Sequence, residues 1–190
     1  MNRLQIGGPL QQWLDSLPHS VPLRAQSVVS GLPLVGGKGL EQLITDSELP
    51  VDSLITAMLW LRIGVIEIPH NIVQNGTTPL ASYLHGVVHR VEADYWNSKY
   101  WFRQVRDSRL LQSLSNSVER KLRDERLSSM ASSLKIMQGN MFFPGEFVSA
   151  CEKHCQQSQP DSESVVALEQ IGWVEWDALW EMIYGSTACE

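Results

Sequence analysis

Residues 51–68 read Val51-Asp52-Ser53-Leu54-Ile55-Thr56-Ala57-Met58-Leu59-Trp60-Leu61-Arg62-Ile63-Gly64-Val65-Ile66-Glu67-Ile68, and this stretch decides the fold class. Leu54, Met58, Leu61, Val65 and Ile68 recur at spacings of three and four, the period of a helix face, which predicts one helix from Val51 to Ile68. Ile55, Trp60, Ile63 and Ile66 make its other sides apolar too. A helix apolar nearly all round belongs at the centre of a bundle. Asp52, Arg62 and Glu67 keep the uncharged run far below the roughly 20 residues that cross a bilayer, so a buried core helix is expected and no membrane partner.

On the C-terminal side, Asn75-Gly76 marks a turn, and Thr78 followed by Pro79 reads as an N-cap with proline at the first helical position, where its missing donor costs nothing. A helix is expected from Pro79 into the nineties. Asn116 and Glu119 resemble a capping box that opens a helix ending at Gly139. Pro144 begins a short helix through Phe147, Val148, Cys151 and Cys155, and the stretch Gln159 to Ser162 separates it from the last one. In that last helix Val165, Leu168, Gly172, Trp176, Leu179 and Ile183 form one stripe, and Gly185 can end it.

On the N-terminal side, five prolines (Pro9, Pro18, Pro22, Pro33, Pro50) and clustered glycines leave room only for short helices at Leu10–Leu17 and Leu40–Thr45. The expected architecture is all-α, a single-domain bundle of about six or seven helices. Residues 1–50 form an irregular segment packed on a helical domain of residues 51–190. No strand and no internal repeat is expected.

A chain of 190 residues with 43% hydrophobic content can bury a core without disulfides or structural metal, since roughly 70% of the unfolded surface is removed at this size. The net charge of −6 argues against a nucleic-acid partner, which a basic footprint would accompany. Three cysteines, Cys151, Cys155 and Cys189, leave an odd thiol and read as free thiols of a reducing, cytoplasmic compartment. The first residues hold no apolar core of the kind a secretory leader needs. Cys151-Glu-Lys-His154-Cys155 lacks a second ligand pair at zinc-site spacing. Gly36-Gly37-Lys38-Gly39 lacks the strand and the Ser or Thr of a phosphate loop and reads as a plain loop.

The concentrated signal lies between His70 and Trp101. His85 and His89 are i and i+4 on one helix face, and a third imidazole, His70, lies on the preceding segment. Imidazoles at this spacing can hold a divalent metal ion, with His70, His85 and His89 as ligands and Glu92 as a base or outer partner. A metal-free reading uses the same region as a pocket for a small polar molecule. In it Glu92, Asp94 and His89 do acid–base work, Arg90 grips an anion, and Gln74, Asn97, Tyr100 and Trp101 line the walls. A third reading is structural: Arg90 pairs with Asp94 at i, i+4, the aromatics are core, and the histidines are packing residues. In that case the protein is a noncatalytic interaction module, a homo-oligomer associating through Trp173, Trp176 and Trp180.

The string His85-Gly-Val-Val-His89-Arg90-Val-Glu92-Ala-Asp94-Tyr-Trp-Asn97-Ser-Lys99-Tyr100-Trp101-Phe102-Arg103 resembles the signature of an uncharacterised bacterial and fungal protein family, His-x3-His-Arg-x-Glu-x-Asp-x2-Asn-x-Lys-Tyr-Trp-aromatic-Arg. His70-Asn-Ile-Val-Gln74 is similar to a His-x-Ile-x-Gln element of that family, and Phe147-Val148 and Gln170 to Leu179 to its closing segment. The likeness covers the last two thirds of the chain. It departs at Val91, Ala93 and Ser98, none of them a candidate ligand or base. The resemblance implies a shared site and lends no reaction to it.

Overall fold

A computed structural model of the chain describes residues 8–23, 38–50, 53–122, 125–155 and 162–187. Among them are ten helices: Gly8–Asp15 (α1), Leu40–Asp46 (α2), Leu54–Leu61 (α3), Glu67–Val73 (α4), Pro79–Glu92 (α5), Tyr95–Gln104 (α6), Ser108–Lys121 (α7), Glu125–Ser133 (α8), Pro144–Cys155 (α9) and Ser162–Thr187 (α10). The strands Met137–Gln138 (β1) and Met141–Phe142 (β2) form one antiparallel hairpin. The fold is all-α, with more and shorter helices than six or seven. Cys189, Gly36, Gly37 and the stretch from Gln159 to Asp161 lie outside the described residues.

The 51–68 pattern does not make one helix. Val51 and Asp52 lie outside the described residues, and α3 ends at Leu61. Gly64 takes a positive φ of 78° while its N–H donates to Leu61 O and that of Val65 to Trp60 O, a helix ending that glycine makes at no steric cost. The chain then turns into α4, which leaves Ile68 exposed rather than on the core stripe. Apolar periodicity runs through the break because both sides of it face the same core.

Arg62, two residues before that glycine, is buried. Its guanidinium donates to the carbonyls of Ser20 and Pro18 and lies 4.5 Å over the Trp173 ring. Burial pushes its pKa down to about 10, against the opposing pull of Asp177. Together with the Val21 N–H to Glu169 O bond, this fastens residues 18–21 onto α10. Leu10, Trp13, Leu40, Leu43 and Ile44 of α1 and α2 join the same hydrophobic core as the rest of the chain.

The centre of the fold belongs to α5 and α10. Every residue from Tyr83 to Val91 is buried, and α10 is buried on most sides between Ala167 and Trp180. Gly185, expected to stop α10, lies inside it. Trp173, Trp176 and Trp180 stack in series at 5.3 and 5.0 Å, and Trp176 Nε1 donates to Met58 O. Trp176 and Trp180 are buried and Trp173 half-buried, so most of this ladder is spent on the interior.

Two further expectations change. Asn116 and Glu119 lie inside α7, whose N-cap is Asp107, accepting from the N–H groups of Arg109 and Leu110. Gly139, with φ of 61°, is the first loop residue of the hairpin rather than a helix terminator. Gly139-Asn140 is a two-residue loop of the kind that demands positive φ.

Candidate metal centre

Two short connections build the site. Thr78 caps α5 by accepting the Ala81 N–H, with Pro79 at the first turn, and this fixes the helix phase from its first residue. α5 ends in a left-handed Ala93, φ 67°, with Ala93 N–H to Arg90 O and Asp94 N–H to His89 O, and Asp94 at once caps α6 by accepting the Asn97 N–H. α4 and α6 therefore both pack along α5, one carrying His70 and the other Trp101.

The three imidazoles converge. Ring centroids lie 5.0 Å apart for His70 and His85, 5.4 Å for His70 and His89, and 4.8 Å for His85 and His89. One ligand atom from each falls within 4.8 Å of the other two. Around a tetrahedral ion with nitrogens at about 2.0–2.1 Å, the nitrogens stand roughly 3.4 Å apart, so small ring rotations close the set.

His85 is 4% exposed, and neither of its ring nitrogens has a hydrogen-bond partner among the described residues. Burial, followed by the charges of His89 and His70, pushes its pKa down to about 4. The ring is therefore neutral at physiological pH and keeps one lone pair. On its other side Trp101 stacks at 4.0 Å with planes inclined by 21°. A buried imidazole with both nitrogens unused carries a desolvation cost that a ligand at the nitrogen would offset.

His89 is oriented from the opposite side. Its Nδ1 donates to Glu92 Oε2 at 3.0 Å, and Asp94 Oδ2 stands 3.9 Å away. An ionised carboxylate only accepts, so Nδ1 is the donor of this pair and Nε2 is the ring nitrogen left for an ion, the arrangement of a metal-ligating histidine with its outer carboxylate. His89, Glu92 and Asp94 also form a second group with ligand atoms within 4.8 Å. An ion held there through Nδ1 would displace the His89–Glu92 bond. Asp94 Oδ2 further accepts from Asn97 Nδ2 at 2.6 Å.

The structure thus brings together His70, His85, His89, Glu92, Asp94, Asn97 and Trp101, with Tyr100 edge-on to Trp101 at 5.7 Å. Gln74 stands apart: it follows α4, is exposed, and donates to Asn71. Arg90 is likewise turned away from an anion-gripping role. It is buried and forms a two-point ion pair with Glu175 of α10, not with Asp94. Its guanidinium also lies 4.2 Å over the Phe147 ring. Burial alone would lower the Arg90 pKa, but the Glu175 charge and hydrogen bonds outweigh it and the net shift is upward.

Glu175 and Tyr83 complete this network and were not foreseen. Tyr83 Oη donates to Glu175 Oε1 at 2.7 Å, and burial, then Glu175, raises the phenol well above its usual range. The available signal was a single acid inside Gly172-Trp173-Val174-Glu175-Trp176, since a carboxylate in an apolar stripe needs a partner.

No family profile, curated protein or solved structure matches this chain.

Proposed function

We propose that the protein binds one divalent metal ion through His70, His85 and His89 and uses it on a small polar molecule in hydrolysis or proton transfer. The observation that carries this reading is His85, a buried imidazole without a hydrogen bond to any described residue, lying beside two others. Three protein ligands with an open position are the pattern of catalytic rather than structural zinc sites, and imidazole nitrogen suits zinc, copper, iron and nickel.

The surrounding groups fit such an ion. Glu92, 44% exposed in its side chain, would fix His89 through Nδ1 as the outer carboxylate of the set, and the ion itself would activate a bound water, whose pKa falls to about 7 on zinc. Trp101 covers His85 and excludes water from that side, while Asn97 and Tyr100 offer polar groups at the rim. We read the His85–Arg103 signature as describing this same cluster. The buried Cys151 and Cys155, not joined in a disulfide, suit a cytoplasmic protein.

The test uses protein made without a histidine tag and stripped with a chelator, then titrated with Zn²⁺ and Co²⁺. One ion per chain is expected, with the visible absorption of four- or five-coordinate cobalt, and its loss in His70→Ala, His85→Ala and His89→Ala. The reading fails if no saturable uptake occurs, or if uptake survives all three substitutions.

A further inference from the structure

We infer that the cleft bounded by α6, the β1–β2 hairpin and the start of α9 is a second binding site, for a small zwitterion with an apolar body, of the aromatic or aliphatic amino-acid type. The cleft encloses about 420 Å³, within the range of roughly 300–1,000 Å³ typical of small-molecule sites. It lies apart from the histidines, none of which lines it.

Its walls have two characters. Phe102, Leu111, Met141, Phe142 and Phe143 form an apolar lining, and Phe143 is left 37% exposed. That exposure is not needed to fold the hairpin, since Met137 pairs with Phe142 and the Phe143 N–H is bonded to Ile136 O without using the ring. An uncovered aromatic at a concave apolar surface marks a place for a ligand. The lining is also rigid: Phe102 is buried against the bare α carbon of Gly86, where an added methyl would meet its ring at 3.0 Å, and the Phe142 N–H donates to Ser115 Oγ at 3.1 Å.

The charged groups define the head. α6 contributes Lys99 and Arg103, α9 contributes Glu146. Lys99 is committed to Glu152 at 2.7 Å. No ion pair joins Arg103 or Glu146 to another described residue. One guanidinium and one carboxylate at the same cleft match a carboxylate and an ammonium on one ligand, the first held by the Arg103 fork and the second by Glu146. A pure anion would meet Glu146 unpaired, and a pure cation Arg103.

The experiment is isothermal titration of the full chain with L-phenylalanine, 3-phenylpropanoate and phenethylamine, with amide NMR to locate the site. L-Phenylalanine is expected to bind saturably at millimolar concentration, shifting Phe143, Gly145 and Ser149 resonances, and each analogue to bind about tenfold more weakly, the loss of one charge-assisted contact. Both Arg103 and Glu146 are exposed, so Arg103→Gln and Glu146→Gln leave the fold intact. Arg103→Gln should weaken phenylalanine and phenylpropanoate but not phenethylamine; Glu146→Gln should weaken phenylalanine and phenethylamine but not phenylpropanoate. The inference is overturned if phenylalanine does not saturate, if the three compounds bind alike, or if the shifts fall elsewhere. His85→Ala should leave all of these results unchanged.

Discussion

His85 lies flat against Trp101, ring centroids 4.0 Å apart and planes inclined by 21°. The stack joins α5 to α6 at the point where the imidazole has no hydrogen bond to another described residue. Packing alone therefore sets the ring's orientation, a role that hydrogen-bonded partners play for most metal-ligating histidines.

That contact makes Trp101 a reporter and a support. Binding of Cu²⁺ or Co²⁺ to the three histidines should quench the fluorescence of this indole. Trp101→Phe should remove most of the quenching while keeping one ion per chain, and Trp101→Ala should weaken binding by about tenfold, as loss of an orienting partner does. Unchanged quenching in Trp101→Phe would place the ion elsewhere.

Glu175→Ala is expected to destabilise the fold strongly. It leaves Arg90 charged and unpaired in the interior, where such a loss costs about 3–5 kcal/mol, and removes the acceptor of Tyr83. Arg90→Met combined with Glu175→Leu should recover most of that loss, because the desolvation cost disappears with the charges. Urea denaturation of the parent chain and the two variants measures this, and equal destabilisation by the single and double changes would contradict it.

Cys151 gives a pH dependence of definite sign. Burial, partly opposed by Arg90, pushes its thiol up to about 12 from an ordinary value of 9.0. The folded state thus favours the neutral thiol, and its contribution is complete below pH 9 and is lost as the pH rises from there toward 12. Stability should fall between pH 9 and 11, less steeply in Cys151→Ala, and iodoacetamide at pH 8 should spare Cys151 until the protein unfolds. Rapid native labelling would disprove the burial.

The local features were legible because their causes are local. Thr78-Pro79 announces the start of α5, Pro144 that of α9, and the i, i+4 pair His85 and His89 faces one way on any helix. The misplacements have causes that periodicity does not register. Gly64 breaks the 51–68 pattern through its positive φ, and Gly139-Asn140 spells a two-residue hairpin loop that the helical spacing around it hides. Asp107 caps the helix nine residues before Asn116 because its carboxylate accepts the Arg109 and Leu110 N–H groups. The partner of Arg90 was out of reach for a different reason: Glu175 is 85 residues away, and no spacing rule chooses between it and the neighbouring Asp94. Of the site, the histidine convergence depended on how the chain turned between α4 and α5, which fixes His70 against the other two.

Ala93 ends α5 in a left-handed conformation, φ 67°, that costs a residue with a β carbon roughly 1 kcal/mol relative to glycine. It is exposed, so the side chain adds no packing in return. Ala93→Gly should raise stability by about 0.5–1 kcal/mol without altering metal uptake. A lower melting temperature would show that the turn between α5 and α6 is not as described.

The decisive comparison sets His89, Glu92 and Asp94 side by side, because the three touch one another yet would fail differently. If His89 Nε2 is a ligand, His89→Ala removes one of three metal contacts and uptake is lost. Glu92 acts one bond further out, through Nδ1 at 3.0 Å, so Glu92→Gln should keep one ion per chain but lower affinity by about 10–100-fold, the usual effect of an outer partner. Asp94 is farther still, 3.9 Å from the same nitrogen, and its chief task is to cap α6. Asp94→Ala should cost about 1 kcal/mol of stability and change metal affinity least. Purely structural histidines give the opposite order: His89→Ala would then be the most destabilising of the three, by about 1–3 kcal/mol from a cavity and an orphaned carboxylate, with no metal uptake in any variant or in the parent chain. Zinc titration and thermal melts on the same four proteins separate the two outcomes, since the first ranks the residues by distance from the ion and the second by burial.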